Sequence, residues 1–190
     1  MADQLDMFGA SIGFPEGFRY EPELLSRAEE SHLLERVRAL PFRDFEFRGY
    51  AGKRRVISFG WKYDFGDESL RDAEPIPDFL QTTRARAAAF AATPVEGVTH
   101  ALITEYPPGA SIGWHRDRGV FDRIIGVSLL SPCLFRLRRK RGDRWDRTSL
   151  VAVPRSVYLL SGSARTEWEH SIPPVDTLRY SITFRTLRNG

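Results

Sequence analysis

The chain has 190 residues, 42% hydrophobic and 28% charged, with a net charge of +3 and a sequence isoelectric point near 9.2. That length suits one domain with its own core, the composition is ordinary for a soluble globular protein, and no apolar run reaches the roughly 18 residues that span a bilayer. The lone cysteine, Cys133, excludes an internal disulfide or a thiolate metal cluster and fits a reducing cytoplasm.

Residues 1–10 read as a flexible tail before a single domain over 11–190. The tail carries acidic residues and no apolar h-region, so it is not a secretory signal. Ser26 and Glu29 have capping-box spacing. Ala28, Leu33, Leu34, Val37 and Leu40 add an apolar stripe at helical period, and Pro41 ends that helix. A second helix is expected from about Pro77 to Ala92, with proline early and an alanine-rich body.

From about Thr99 the texture changes to β. Ala101 to Tyr106, Ile124 to Leu130, Leu134 to Leu137, Ser156 to Leu160 and Leu178 to Leu187 are short β-rich runs, punctuated by Pro, Gly and Asp. Residues 141–144 look like a hairpin tip. Helices first and strands afterwards predict an α+β chain, with helices packed on one side of an all-β sandwich or barrel.

Within that β region, His115-Arg116-Asp117 places an imidazole and a carboxylate at i and i+2. In extended chain these share a face. A third neutral nitrogen would complete a 2-His-1-carboxylate facial triad, which leaves positions open for a bidentate co-substrate and O₂. Besides His115 the histidines are His32, in the first helix, His100, before a strand leading to the pair, and His170, far enough along to return across a barrel.

Taken alone, H-x-D is a weak motif. Arg179 to Arg185 strengthens it by alternating Arg, Ser, Thr, Arg on one face with Tyr, Ile, Phe on the other. Burying the apolar face on helices would turn two arginines inward, where they need an anion to pair with. Leaning inward over a strand of roughly 20 Å, they could grip the two ends of a short dicarboxylate. The alternative is an edge strand showing its polar face to water.

In this order His115, Asp117, His170, Arg179 and Arg185 resemble the AlkB family, whose pattern is H-x-D, a distant H, then R-x₅-R. The run from Leu102 through Pro107, Pro108 and Gly109 to Trp114-His115 resembles that family's strand, turn and first iron ligand. Pro154 to Gly162 resembles the segment before its second histidine. The likeness covers roughly residues 45 to 188.

It implies a double-stranded β-helix (jelly-roll) core with N-terminal helices packed on one sheet, and Fe(II), 2-oxoglutarate and O₂ as cofactor and co-substrates. His115, Asp117 and His170 would bind iron. Arg179 would meet the distal carboxylate of 2-oxoglutarate with help from Tyr106, among Leu102, Thr104 and Ser181. Arg185 would sit near the keto-acid end and the substrate. Thr104 stands where many relatives have asparagine, and Ser181 where the best-known bacterial member also has it. The implied reaction is oxidative dealkylation of N-alkylated bases in DNA or RNA, with release of succinate, CO₂ and an aldehyde. A duplex base would first be flipped out, which favours single strands.

The resemblance also places a nucleotide-recognition lid over Arg48 to Asp64. There Phe59, Trp61 and Tyr63 could stack on a base, and the same period-2 spacing fits a packed strand. The basic stretch Arg136 to Arg147 could grip a backbone or be a solvated hairpin. Arg116 and Arg118 would flank the site mouth, and Gly119 replaces the acidic base-reading residue of the best-known repair enzyme. Gln4-Leu5-Asp6-Met7-Phe8 resembles the bacterial sliding-clamp binding pentapeptide. Competing readings are a tRNA base-modifying dioxygenase, a protein hydroxylase and an inactive β-barrel binding module.

Overall fold

A computed structural model describes residues 13–47, 50–64, 69–72 and 74–188. The clamp-like residues Gln4, Leu5, Asp6, Met7 and Phe8 lie outside them. Helix α1, Arg27–Arg38, starts at a complete capping box. The Glu29 backbone N–H donates to Ser26 Oγ at 3.3 Å, and the Ser26 N–H donates to Glu29 Oε2 at 2.8 Å. Leu33, Leu34 and Val37 are buried as the stripe requires, whereas Ala28 is exposed and Glu30 takes an inward place. Glu30 is held there by the Leu130 N–H at 2.9 Å and by Arg155 at 3.3 Å. A 3₁₀ turn at Asp78–Leu80 leads into α2, Gln81–Phe90, and α3 is the short Gly162–Thr166.

Thirteen strands follow among the described residues. They are β1 Phe18–Glu21, β2 Arg43–Phe47, β3 Tyr50–Phe59, β4 Trp61–Asp64, β5 Ser69–Asp72, β6 Val98–Tyr106, β7 Ile112–His115, β8 Phe121–Leu129, β9 Cys133–Arg141, β10 Arg144–Ala152, β11 Val157–Leu160, β12 Glu169–Ile172 and β13 Arg179–Leu187. The major sheet runs β1-β11-β8-β13-β6-β3-β2, the minor sheet β10-β9-β12-β7, and β4 pairs with β5 as a ribbon. Every pairing is antiparallel. Two facing antiparallel sheets with helices on one outer face form the expected double-stranded β-helix.

The core divides in two. One cluster joins Val37, Leu80, Ala87 and Phe90 of the helices to Ile103, Ile125, Val127, Tyr180, Ile182 and Phe184 on one face of the major sheet. The other, between the sheets, holds Tyr106, Phe121, Phe135, Leu137, Leu160 and Trp168. Strand β13 lies between β8 and β6, so its period-2 pattern separates helix-facing residues from cavity-facing ones. The tip of the β9–β10 hairpin is Gly142-Asp143, with Gly142 at φ +58°.

Candidate active site

On the cavity side of β13 stand Arg179, Ser181, Thr183 and Arg185, opposite Tyr106, Thr104, Leu102 and His100 of β6. These residues line one cleft of about 1610 Å³ together with His115, Asp117 and His170. In the minor sheet, His170 of β12 is paired with His115 of β7 beside an irregularity in the ladder, and Asp117 follows two residues after β7 ends. One ligand atom from each of His115, Asp117 and His170 falls within a 4.8 Å group, and the two imidazole centroids are 4.2 Å apart.

The atoms suit a metal. His115 Nδ1 lies 2.9 Å from the Gly113 carbonyl, which can only accept, so Nδ1 donates there and Nε2 is the ring nitrogen left for a metal. Burial, reinforced by neighbouring His115, lowers the His170 pKa to about 3 and keeps that ring neutral. Burial alone would raise the Asp117 pKa. The Arg185 guanidinium, by its charge and its hydrogen bonds, outweighs it and holds the carboxyl well below the usual range. Two imidazoles and one carboxylate are the donor set expected for non-haem Fe(II).

The two arginines of β13 part company. Arg179 is 1% exposed; it donates from Nη2 to Ser128 Oγ at 2.9 Å, and its guanidinium lies 4.7 Å from the Tyr106 ring centroid. Its Nε and Nη1 are buried with no partner. A buried cation with two idle donors facing a cleft matches a carboxylate ligand. Arg185 is already engaged: Nε and Nη2 donate to Asp117 Oδ1 at 3.0 and 2.6 Å, and Nη1 sits 3.3 Å from His100 Nδ1. Of the two arginines that the sequence set to grip a dicarboxylate, Arg185 is paired with Asp117 and Arg179 keeps two donors without a partner.

His100 and Ser128 are contributors that the sequence reading did not single out. His100, 3% exposed, has its pKa lowered to about 3 by burial, then by Arg185, so its Nδ1 can accept from the guanidinium. Its signal was a lone polar aromatic at the head of an apolar strand. Ser128 was legible as the one hydroxyl in Ile124 to Leu130. Arg165 also escaped notice: it donates to the Phe121 carbonyl at 2.9 Å and to the Arg118 carbonyl, pinning the loop after Asp117. Tyr158, whose pKa burial pushes up, packs its ring tilted against Phe135, centroids 4.4 Å apart, and lines the cleft.

The recognition residues scatter. Arg116 donates to the Thr166 carbonyl at 3.0 Å, and Arg116, Arg118 and Gly119 border the cleft. Phe59 is 4% exposed, belongs to the cluster beneath the helices and also borders the cleft. Trp61 is half-buried in β4 and does not line the cleft, while the side chain of Tyr63 and residues 48–49 lie outside the described ones. The wall is instead furnished by Phe45 and Arg54, stacked at 3.8 Å, and by Trp114.

Comparisons agree with this geometry. The family model described as the 2OG-Fe(II) oxygenase superfamily matches residues 17–185. The chain is similar to an "Alkylated DNA repair protein ALKBH8 homolog" of Arabidopsis thaliana, 28% identical over 209 residues that cover 88% of this chain and 57% of that protein. It is 31% identical over 99 residues to an uncharacterized protein, L905, of Acanthamoeba polyphaga mimivirus, covering 45% and 47% of the two. The chain thus spans about half the length of these relatives. In fold it resembles OsALKBH1, with TM-score 0.65, 16% identity and 92% and 99% of the chains covered. It also resembles a Pseudomonas putida prolyl-4-hydroxylase, with TM-score 0.58, 18% identity and 92% and 94% covered.

Proposed function

Because the chain belongs to the 2OG-Fe(II) oxygenase superfamily, as a dioxygenase of the AlkB type that uses Fe(II), 2-oxoglutarate and O₂, we propose that it oxidatively dealkylates N-alkylated bases in a nucleic acid. His115, Asp117 and His170 hold the iron in this reading. When bound, iron and 2-oxoglutarate supply O₂ activation, which oxidises a substrate C–H as the keto acid becomes succinate and CO₂.

The protein's own part is to hold and aim. Arg179 offers Nε and Nη1 to the distal carboxylate, with Ser128 fixing the other terminus and the Tyr106 ring packed against the guanidinium. Leu102, Thr104 and Ser181 shape the slot around it. Arg185 orients Asp117 and keeps it ionised, while burial keeps the His170 ring neutral. Hydroxylation of an N-alkyl carbon leaves a hemiaminal that collapses to an aldehyde and the free base.

What supports the nucleic-acid assignment is the mouth of the cleft. Its volume exceeds the roughly 300–1,000 Å³ typical of small-molecule sites, leaving room for a base beside the co-substrate. Its walls carry Arg54 on Phe45, Trp114 and Arg116, groups suited to phosphates and to stacking. The Arabidopsis relative, described as an alkylated DNA repair protein, agrees.

The test is succinate and formaldehyde release by iron-loaded protein given 2-oxoglutarate and N-methylated single-stranded DNA or RNA oligonucleotides. Stoichiometric loss of methyl groups, abolished by His115→Ala, is expected. Succinate without demethylation would discard this substrate class and keep the dioxygenase.

A further inference from the structure

The minor sheet has a second face. Cross-strand partners share a side of a sheet and neighbours alternate, so the register that turns Phe135, Leu137, His115 and His170 into the barrel turns another set outward. That outward set is Trp114, Arg136, Arg138, Lys140, Trp145 and Arg147. Trp114 therefore stands on the back of the strand whose front carries His115.

The set is organised. The Arg138 guanidinium lies between two indoles, 4.4 Å from the Trp114 ring centroid and 4.3 Å from that of Trp145, and its Nε meets Glu169 at 2.6 Å. Arg136 lies 4.9 Å from the Trp114 ring and donates to Ser171 Oγ at 3.0 Å.

Charge is sorted between the two sides of the hairpin. On the inward-parity side, Arg139 is paired with Asp146 and Glu167 at 3.2 and 2.8 Å, and Arg141 with Asp146 at 3.3 Å. Asp146 and Glu167 offset two of the three cations there, since Arg144 shares that side opposite Arg141. On the outward side Glu169 alone opposes four cations, and Lys140 and Arg147 are exposed with no ion pair among the described residues. A merely solvated hairpin needs neither this sorting nor two half-buried tryptophans held around a guanidinium.

We propose that this outward face is a docking platform for single-stranded nucleic acid flanking the reacting base, a proposal that rests on the nucleic-acid reading of the cleft. Planar indole and guanidinium groups stack on any base, and surplus cations meet phosphates. A sheet face dressed with aromatic and basic side chains is a recurrent way to hold an unpaired strand. Trp114 also borders the cleft, so a strand leaving the site passes onto the face. The positive surplus around the indoles selects a polyanion; the exposed aliphatic side chains of that face, Leu134 and Val151, lie at the end of the hairpin away from Trp145.

The experiment measures binding of the whole protein to short, unmodified single-stranded DNA and RNA oligonucleotides over a range of salt, alongside dealkylation of a methylated oligonucleotide and a methylated nucleoside. Lys140→Gln/Arg147→Gln should reduce the slope of log affinity against log salt by about 1.4, the release expected for two phosphate contacts on a single strand. Trp145→Ala should weaken binding about tenfold with the slope unchanged. Both variants should dealkylate the nucleoside, which is too small to reach the platform, like the wild type. If the wild type binds and dealkylates oligonucleotides and the variants bind equally well, the platform is refuted and the function stands. If the wild type neither binds nor dealkylates any oligonucleotide, both readings fall together.

Discussion

Arg185 grips a single oxygen of Asp117, donating to Oδ1 from both Nε and Nη2, and leaves Oδ2 turned toward His170 at 3.5 Å. The carboxylate is buried, with a side chain 8% exposed. Removing its partner strands a charge that burial disfavours, at a cost of about 3–5 kcal/mol. Arg185→Met should therefore destabilise the metal-free protein by that order in urea unfolding. Arg185→Met/Asp117→Asn should recover much of the loss, because no charge is left unpaired. A double variant no more stable than the single one would mean that packing, not charge, sets the cost.

The idle donors of Arg179 give an opposite sign. Its buried guanidinium is undercompensated until a carboxylate arrives, so Arg179→Met should raise the melting temperature of the ligand-free protein or leave it unchanged. The same substitution should erase the stabilisation that 2-oxoglutarate gives the metal-loaded protein, with affinity falling about 100-fold or more. Thermal melting with and without 2-oxoglutarate, using a redox-inert divalent metal in place of iron, reads both effects without turnover.

Buried histidine makes the metal-free protein acid-sensitive. The folded-state pKa of His100, about 3, lies below its ordinary 6.5, so the unfolded chain binds the proton first as pH falls. Its contribution is complete above pH 6.5 and is lost progressively toward pH 3, at a slope of about 1 kcal/mol per pH unit. His170 adds a slope of the same sign in the same window. Urea midpoints between pH 7 and 5 should fall in wild type and fall less steeply in His100→Asn. A flat profile would contradict the neutral state of both rings.

A close approach fixes Gly126. A Cβ there would sit 2.2 Å from Tyr158 Cζ, since the phenol lies across β8 on its way to the cleft. Gly126→Ala should cost about 1–3 kcal/mol through overpacking. In a Tyr158→Leu background the same change should cost less, with a coupling of about 0.5–3 kcal/mol in a double-mutant cycle. Additive effects would place the ring elsewhere.

The most regular signals were the most legible. Ser26 and Glu29 marked α1 because a cap is a local contract between side chain and backbone. The alternation from Arg179 to Arg185 marked β13 because that strand is buried on both faces with unlike neighbours. Strands β1, β7 and β12 are four residues each, too short to display a period, and they form only because distant partners accept them: Phe18 pairs with Leu160, His115 with His170. Strand β10 hid behind its charges, since Arg144 to Ser149 contains almost no apolar residue to count. The engagement of Arg185 by Asp117 was likewise invisible, because it depends on where the loop after β7 lies, and Arg165 from another segment settles that.

The central position of β13 also has a consequence for how the molecule is made. It lies hydrogen-bonded between β8 and β6, strands translated long before it. While the ribosome has yet to deliver residues 179–187, the major sheet has a gap at its middle, the helices have no Tyr180, Ile182 and Phe184 to sit on, and Asp117 lacks its guanidinium. Assembly must wait for a late, sequence-distant insertion of the kind that slows folding. Until then the nascent chain exposes two unpaired strand edges, so chaperone demand during synthesis should be concentrated in the interval before β13 emerges.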